Sequence, residues 1–180
     1  KSVTYTKDTS VVDITDTPLK FEILSNSTVE VARGNYENLD SVNIPSKVKI
    51  DGKVYNVTSI GDNTFKDCNN LASITIPKSV ISIGNYAFYG CDKLTPHLLT
   101  YDNGTKCYGW VGNRDSCVNV VIPGSVTSIG DYAFYSCSGL KSITIPKRVT
   151  SIGEFAFSLC MNLDVVIENS EENVKVGYAA

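Results

Sequence analysis

The chain has 180 residues, a hydrophobic content of 42% and a net charge of −3. These values predict one soluble, globular or elongated domain with a substantial core. The acidic balance and the lack of a Lys/Arg run argue against a nucleic acid or an anionic membrane surface as the partner. No stretch approaches about 18 consecutive apolar residues, so no membrane insertion is expected.

Residues 1–40 are predicted to form a β arm and cap. Lys1–Asp16 is rich in Ser, Thr and Asp between β-branched residues, a composition typical of an extended edge or a partly ordered arm. Leu19–Ile23 and Thr28–Ala32 alternate apolar and polar residues across a Ser-Asn-Ser turn, which indicates a β-hairpin. We expect this hairpin to cap the N-terminal end of the core that follows.

Residues 41–172 are organised by an internal repeat. The triplet Ser-Ile-Gly begins at Ser59, Ser82, Ser128 and Ser151, so that the first and last intervals are one period and the middle interval is two. The same spacing relates three further sets: Phe65, Phe88, Phe134 and Phe157; Cys68, Cys91, Cys137 and Cys160; Leu71, Leu94, Leu140 and Leu163. A period of about 23 residues with spaced aliphatic side chains predicts a leucine-rich-repeat solenoid.

Each unit has a strand half and a turn half. Ile143 and Ile145 alternate on one face of a short strand that Pro146 ends. Phe155–Phe157 with Cys160 is expected to close the coil as a short helical or 3₁₀ turn. We therefore predict a mainly β, right-handed superhelix of about five coils, with a parallel sheet on one side and turns opposite.

The first coil is longer than the others, because Pro45 and Pro77 are separated by more than one period. Its extra residues include Asp51-Gly52, a strong two-residue hairpin turn. At the other end, residues 173–180 are expected to form a C-terminal edge strand or tail around Val174–Val176.

The motifs Leu71–Cys91, Val120–Cys137 and Leu140–Phe157 carry a family resemblance. They resemble the BspA-like leucine-rich repeats of secreted and surface-attached microbial proteins. The resemblance implies an extracellular or cell-surface, non-enzymatic interaction protein. Members of that family are adhesins for differing host or microbial targets, so the implied partner is an extracellular protein or glycan whose identity stays open.

The coil at residues 92–114, the divergent coil, keeps the length of the repeat but lacks its consensus residues. Leu98–Tyr101 and Thr105–Tyr108, on either side of Asp102-Asn103-Gly104, indicate two strands joined by a turn. Such a hairpin would bring Tyr101, Tyr108 and Trp110 near each other.

These aromatic residues have two interpretations. Trp and Tyr are enriched at binding hot spots, so they could form a recognition patch. The patch would consist of Leu98, Tyr101, Tyr108, Trp110 and Val121. Alternatively, the aromatic rings replace the missing Phe and Ile side chains in the core.

The cysteines fall into two groups. Cys68, Cys91, Cys137 and Cys160 share one register, where parallel side chains about 4.8 Å apart are poorly placed for disulfides, so buried free thiols are expected. Cys107 and Cys117 lie outside that register and flank residues 109–116. They are either a disulfide that pins the divergent coil or two free thiols. No CxxC spacing is present, and no metal is expected.

Catalysis is not expected, because the sequence has no nucleophile motif such as G-x-S-x-G for which the single histidine, His97, could act as the base. The sequence indicates a half-buried or edge histidine and requires no cofactor. Asp102-Asn103-Gly104 is explained by turn chemistry rather than by calcium binding.

Two functional hypotheses follow, both for a monomer. The first is an adhesin-like binding module, and the second is a rigid spacer within a larger surface protein. The outward strand positions favour the spacer, because short hydroxyl side chains offer a partner few distinctive groups to bind. These positions are Ser73, Thr75, Ser142 and Thr144.

Overall fold

The computed structural model describes residues 11–170 and 173–180. The strands are β1 (Val11–Asp13), β2 (Lys20–Ile23), β3 (Thr28–Ala32), β4 (Ser41–Asn43), β5 (Lys47–Ile50), β6 (Lys53–Ile60), β7 (Ser73–Thr75), β8 (Ser82–Ile83), β9 (His97–Tyr101), β10 (Lys106–Val111), β11 (Ser128–Ile129), β12 (Ser142–Ile145), β13 (Ser151–Ile152), β14 (Asp164–Ile167) and β15 (Lys175–Val176). The described part of the chain also includes two 3₁₀ turns, Ile14–Asp16 and Arg114–Ser116. Residues 1–10 of the predicted arm lie outside it.

The Ser-Ile-Gly segments form a first strand row. β6 pairs with β8 in parallel, and β11 pairs with β13, which pairs with β15. The isoleucines lie directly opposite one another, as at Ile129 and Ile152, and both are buried. The predicted repeat register is therefore confirmed, because residues one period apart become hydrogen-bonded neighbours.

A second strand row contains the segments that precede the repeat prolines. β4 pairs with β7, and β12 pairs with β14, all in parallel. The row is interrupted at the divergent coil, whose strand β9 pairs with β10 instead. The prediction of one parallel sheet facing turns is therefore wrong. The described strands form four sheets rather than one. The strand pairing is broken at the divergent coil, where β9 pairs with β10.

The Ala-Phe segments form a turn row, and the expected helical or 3₁₀ turn at Phe155–Cys160 is wrong. A helix satisfies its N–H groups within its own segment. Here some N–H groups donate within the turn, as Cys137 does to the Phe134 carbonyl over 3.0 Å, whereas those that alternate with them donate to the next coil over 2.7 to 2.9 Å. The donors are Asn63, Phe65, Asp67, Tyr132, Phe134 and Ser136, and their respective acceptors are the carbonyls of Asn85, Ala87, Tyr89, Glu154, Ala156 and Ser158. The turns are thus hydrogen-bonded between coils, as the strands are.

The two predicted hairpins of the N-terminal part are present. β2 and β3 pair antiparallel, and β3 continues the first strand row by pairing in parallel with β6. β5 and β6 pair antiparallel around Asp51-Gly52, where both residues have positive φ. β1 adds to the outer edge of β5. The capping role of the first hairpin, the coil count and the right-handed sense stay predictions.

Two clusters of buried side chains fill the array. The N-terminal cluster runs from Leu19 to Val111, and the C-terminal cluster runs from Cys107 to Val174. The repeat phenylalanines stack between coils: Phe65 and Phe88 have ring centroids 5.6 Å apart, and Phe134 and Phe157 have centroids 5.4 Å apart. The divergent coil lies where one cluster gives way to the other.

Phe134→Ala should lower the free energy of unfolding by about 3–5 kcal/mol, because the fully buried ring is replaced by a cavity. Urea denaturation of the two proteins measures the difference. Met161→Ala is the control, since that side chain is 65% exposed and its loss should cost little. A loss under about 1 kcal/mol for Phe134→Ala would contradict a core role for this ring.

Candidate functional site: the divergent coil and an aromatic column

The divergent coil contains the predicted hairpin. β9 and β10 pair antiparallel, with Tyr101 opposite Lys106 and Trp110 opposite Leu98. Its turn requires left-handed backbone at residues 102–104, and Asp, Asn and Gly tolerate that conformation best. β10 then joins β11 in the first strand row. The hairpin is confirmed, and its strand β10 is built into the array.

A register shift between Cys107 and Gly109 decides where the aromatic side chains point. Without a bulge, positions 108 and 110 would share one face of the strand. With it, Tyr108 packs against the N-terminal cluster, whereas Trp110 lies in the C-terminal cluster with Cys107. The bulge therefore separates two aromatic residues of the predicted patch.

Both of these aromatics have core roles. Trp110 is 9% exposed, and its Nε1 donates to the carbonyl of Asn113 over 3.1 Å. The Tyr108 hydroxyl accepts a hydrogen bond from the Phe88 N–H over 3.0 Å, and its ring meets the Phe88 ring at 84°. Burial raises the pKa of Tyr108 to about 12. The interpretation that they replace missing core residues is the one that the structure favours.

The rest of the predicted patch is dispersed. Leu98 is half-buried against the C-terminal cluster, and Tyr101 is half-buried with the Lys106 ammonium 5.8 Å from its ring centroid. Val121 is 86% exposed. The structure therefore does not bring the five residues of the predicted patch together on one exposed surface.

Cys107 and Cys117 are both free thiols in this structure, so the alternative of a disulfide between them has no support here. Cys107 lies in β10 opposite Ile129, where it replaces a repeat isoleucine of the first strand row. Cys117 lies one period after Leu94 and one period before Leu140, so it replaces the repeat leucine. The chain between the two cysteines follows the coil perimeter instead of closing a loop, which places the thiols at different positions in the coil.

The four cysteines of the repeat register agree with the prediction of free, largely buried thiols. Cys68, Cys91 and Cys137 are buried, and Cys160 is half-buried. The thiols of Cys91 and Cys160 donate to carbonyls of the preceding coil, those of Phe65 and Phe134, over 3.0 and 2.9 Å. Burial raises the pKa of Cys91 to about 12 and that of Cys160 to about 11. Both are therefore protonated at neutral pH.

A column of aromatic rings along the turn row was not anticipated from the sequence. We define the aromatic column as Tyr86, Tyr132, Phe155 and Tyr178. Successive ring centroids are 4.4, 5.2 and 5.6 Å apart. The first three rings are half-buried and Tyr178 is 76% exposed. The column is thus a continuous, partly exposed aromatic surface.

Backbone geometry directs these rings outward. Asn63, Tyr86, Tyr132 and Phe155 all have φ between 53° and 57°, a region that side chains other than Gly, Asn and Asp rarely adopt. Gly109 occupies the same register in the divergent coil and has no side chain. Tyr86 and Tyr132 can therefore meet directly across it. The recurrence of Tyr or Phe at one register was a signal in the sequence, hidden by this glycine.

Polar groups flank the column. Tyr89 and Tyr135 pack edge-on against Tyr86 and Tyr132, with centroids 5.6 and 5.8 Å apart. The Lys66 ammonium lies 5.8 Å from the centroid of Tyr86. Burial and a hydrogen bond to the Tyr132 hydroxyl raise the pKa of Tyr86. The surface therefore combines apolar ring edges with phenol hydroxyls, which can donate and accept hydrogen bonds.

Other kinds of site have less support. His97 is exposed, with Nδ1 2.7 Å from the carbonyl oxygen of Thr95. In residues 11–170 and 173–180, no group of three or more His, Cys, Asp or Glu side chains could hold a metal ion. The same residues include no helix that is long and apolar enough to span a membrane.

Gly109→Ala should lower the free energy of unfolding by at least about 3 kcal/mol. Gly109 has φ +123°, and an added Cβ would overlap the backbone of Ala133. Gly124→Ala is the matched control, because no atom lies within 4 Å of its added Cβ. Chemical denaturation compares both variants with the parent, and equal stabilities of the two variants would contradict this close approach of backbones.

Tyr108→Phe should cost about 1–3 kcal/mol, because it removes the hydroxyl that accepts from the Phe88 N–H. The measurement is again urea denaturation. Tyr178→Phe serves as the control, since its hydroxyl belongs to a largely exposed side chain. If Tyr108→Phe is as stable as the parent, the hydroxyl does not substitute for a backbone acceptor.

Comparison with known proteins agrees with this architecture. The family model for the BspA type leucine rich repeat region matches residues 34–106 and 104–177 in six copies. Among curated proteins, none matches the chain.

Several solved structures are similar. A leucine-rich repeat protein from Bacteroides ovatus is 34% identical, with a TM-score of 0.57, over 82% of this chain and 39% of that one. A leucine-rich repeat protein from Bacteroides capillosus is 30% identical, with a TM-score of 0.46, over 84% and 94% of the two chains. A leucine rich cell surface protein from Faecalibacterium prausnitzii is 22% identical, with a TM-score of 0.48, over 94% and 56%.

The Bacteroides ovatus protein shares the fold, and this chain spans about two-fifths of its length. The matched repeats cover most of the chain, from before β4 at the start of the second strand row to β15 at the end of the first. The chain belongs to the family of BspA-type leucine-rich repeat proteins.

Proposed function

We propose that this chain is a non-enzymatic interaction module at the cell surface or outside the cell. It acts as an adhesin-like monomer and binds an extracellular protein or glycan of a host or another microbe. Family membership supports both the location and the absence of catalysis, because BspA-like repeats are those of secreted and surface-attached microbial proteins and leucine-rich repeats present extended binding surfaces.

The aromatic column is the observation that carries the binding proposal. Tyr is enriched at binding hot spots, because its ring buries a large apolar area while its hydroxyl keeps a polar handle. Tyr178 is the most exposed member of the column, and Tyr135 lies beside the column on the turn row. These two residues are the anchors that we assign to the proposed site, in place of Trp110.

A rigid spacer is the second candidate, and one observation favours it. Ser73, Thr75, Ser142 and Thr144 are exposed along the second strand row. Short hydroxyl side chains offer a partner little apolar area to bury. This face suits a segment that displays other domains.

A binding screen tests the proposal. The purified chain is applied to arrays of extracellular-matrix proteins and of glycans, and the strongest ligand is then titrated against two double variants. Tyr135→Ala with Tyr178→Ala should weaken binding by about thirtyfold or more, the effect of losing one hot-spot anchor. Ser142→Ala with Thr144→Ala is the control from the second strand row and should bind like the parent.

Circular dichroism and melting temperature must show that both variants are folded. Parent-like binding by a folded Tyr135/Tyr178 variant would exclude both residues as anchors of the site. The failure of every ligand on both arrays would favour the spacer.

A further inference from the structure

The second strand row has a free edge in the coil that follows the divergent coil. Residues 120–123, Val-Val-Ile-Pro, lie one period before residues 143–146, the Ile-Thr-Ile-Pro segment of β12. Val120 is half-buried and Ile122 is buried, so both keep the inward positions of the repeat. In the described part of the chain, however, β12 pairs with β14 alone, and no backbone hydrogen bond joins it to residues 118–123. One edge of β12 is therefore unpaired.

The pairing with β14 shows which backbone groups lie on this edge. The N–H and C=O of one strand residue point toward the same neighbouring strand, and successive residues alternate between the two neighbours. The Asp164 N–H donates to the carbonyl of Lys141 over 2.9 Å, so residue 141 and every second residue after it face β14. The N–H and C=O groups of Ser142 and Thr144 therefore point to the unpaired edge.

In a regular coil the same groups are paired with the preceding coil. Ser73 occupies the register of Ser142 in an earlier repeat. Its N–H donates to the carbonyl of Asp40 over 3.3 Å, next to the parallel pairing of β4 with β7. The unpaired edge of β12 is thus a hydrogen-bonding position that a parallel strand fills elsewhere in this chain.

This edge opens into a groove of about 410 Å³. Such a volume lies within the range of about 300–1,000 Å³ that is usual for ligand pockets. One wall contains Ser142 and Thr144, and the other contains Val121, which is 86% exposed. The groove therefore combines backbone hydrogen-bonding groups with an exposed aliphatic side chain.

The groove also contains a carboxylate. Glu168 follows the last residue of β14 and lines the groove with Pro146. Among residues 11–170 and 173–180, no ion pair includes Glu168. A cationic side chain at this end of a ligand would complement its charge, and such complementarity fixes the register of a bound partner.

We propose that this groove binds an extended segment of a partner protein by β-strand addition. The segment lies parallel to β12, as the other strands of the row do, and its backbone pairs with that of Ser142 and Thr144. An aliphatic side chain of the segment packs against Val121, and a following lysine or arginine pairs with Glu168. Recognition through the backbone allows a strand row with short hydroxyl side chains to bind a partner.

The proposal goes beyond the proposed function, because it concerns the second strand row and not the aromatic column. Its probe is an acetylated, amidated peptide with the sequence of residues 141–147, Lys-Ser-Ile-Thr-Ile-Pro-Lys. This peptide has the repeat strand and a lysine directly after it. Because no ligand of the aromatic column is used, the test can fail or succeed independently of the proposed function.

Amide hydrogen exchange of the whole chain, measured by NMR, tests the free edge. Without peptide, the amides of Ser142 and Thr144 should exchange faster than that of Ile143, which faces β14. Addition of the peptide should slow the exchange of Ser142 and Thr144. Equal protection of all three amides before the addition would show that the chain itself fills this edge, and unchanged exchange at saturating peptide would also overturn the proposal.

Two proline variants locate the bound peptide by fluorescence anisotropy of a labelled copy. Thr144→Pro removes an N–H from the free edge and should abolish binding, while the bonds to β14 remain. Val165→Pro is the matched control, because it removes an N–H on the side of β14 that points away from β12. Circular dichroism checks that both are folded. Equal binding by both variants, or loss in the control alone, would contradict binding at β12.

A charge exchange keeps the proposal testable if Thr144→Pro does not fold. Glu168→Lys should weaken binding of the peptide and strengthen binding of a second peptide that ends in Glu instead of Lys. Glu154→Lys is the control, since it changes the net charge equally at an exposed position of the turn row. Equal responses of the two variants would show a general charge effect and would overturn the pairing with Glu168.

Discussion

Backbone hydrogen bonding between coils at a fixed repeat register is the constraint on which the structure depends. One coil buries too few side chains to offset the entropy of ordering its backbone, so each coil requires a neighbour on which to stack. Stacking succeeds only when equivalent N–H and C=O groups meet, as they do in the two strand rows and in the turn row. This requirement explains why the divergent coil keeps its length although its residues change.

The divergent coil shows how the register can survive a local change of structure. Its hairpin removes a strand from the second row and adds one to the first. In a regular coil the N–H of Phe65 donates to a backbone carbonyl one coil away, and in the divergent coil the Tyr108 hydroxyl takes that place for Phe88. A side chain thus replaces a missing backbone acceptor, and the buried N–H remains satisfied.

The rows also differ in what they offer to a partner. The second strand row exposes short hydroxyl side chains, whereas the turn row exposes aromatic rings. The rings of Tyr86, Tyr132 and Phe155 reach the surface because the turns have left-handed backbone at this position of their coils, and the repeat places Tyr or Phe there. Structural repetition and a candidate binding surface therefore arise from the same turn geometry.

The amino-acid sequence by itself determined the period, the solenoid class, the three hairpins and the buried, stacked positions of the phenylalanines and cysteines, because these depend on spacing and on local turn chemistry. Tertiary structure alone decided the exposure of the aromatic residues and the neighbours of the thiols. One bulge in β10 sends Tyr108 and Trp110 to opposite clusters. Likewise, the thiols of Cys91 and Cys160 meet carbonyls of the preceding coil because the coils stack, a relation that spacing within a single coil does not contain.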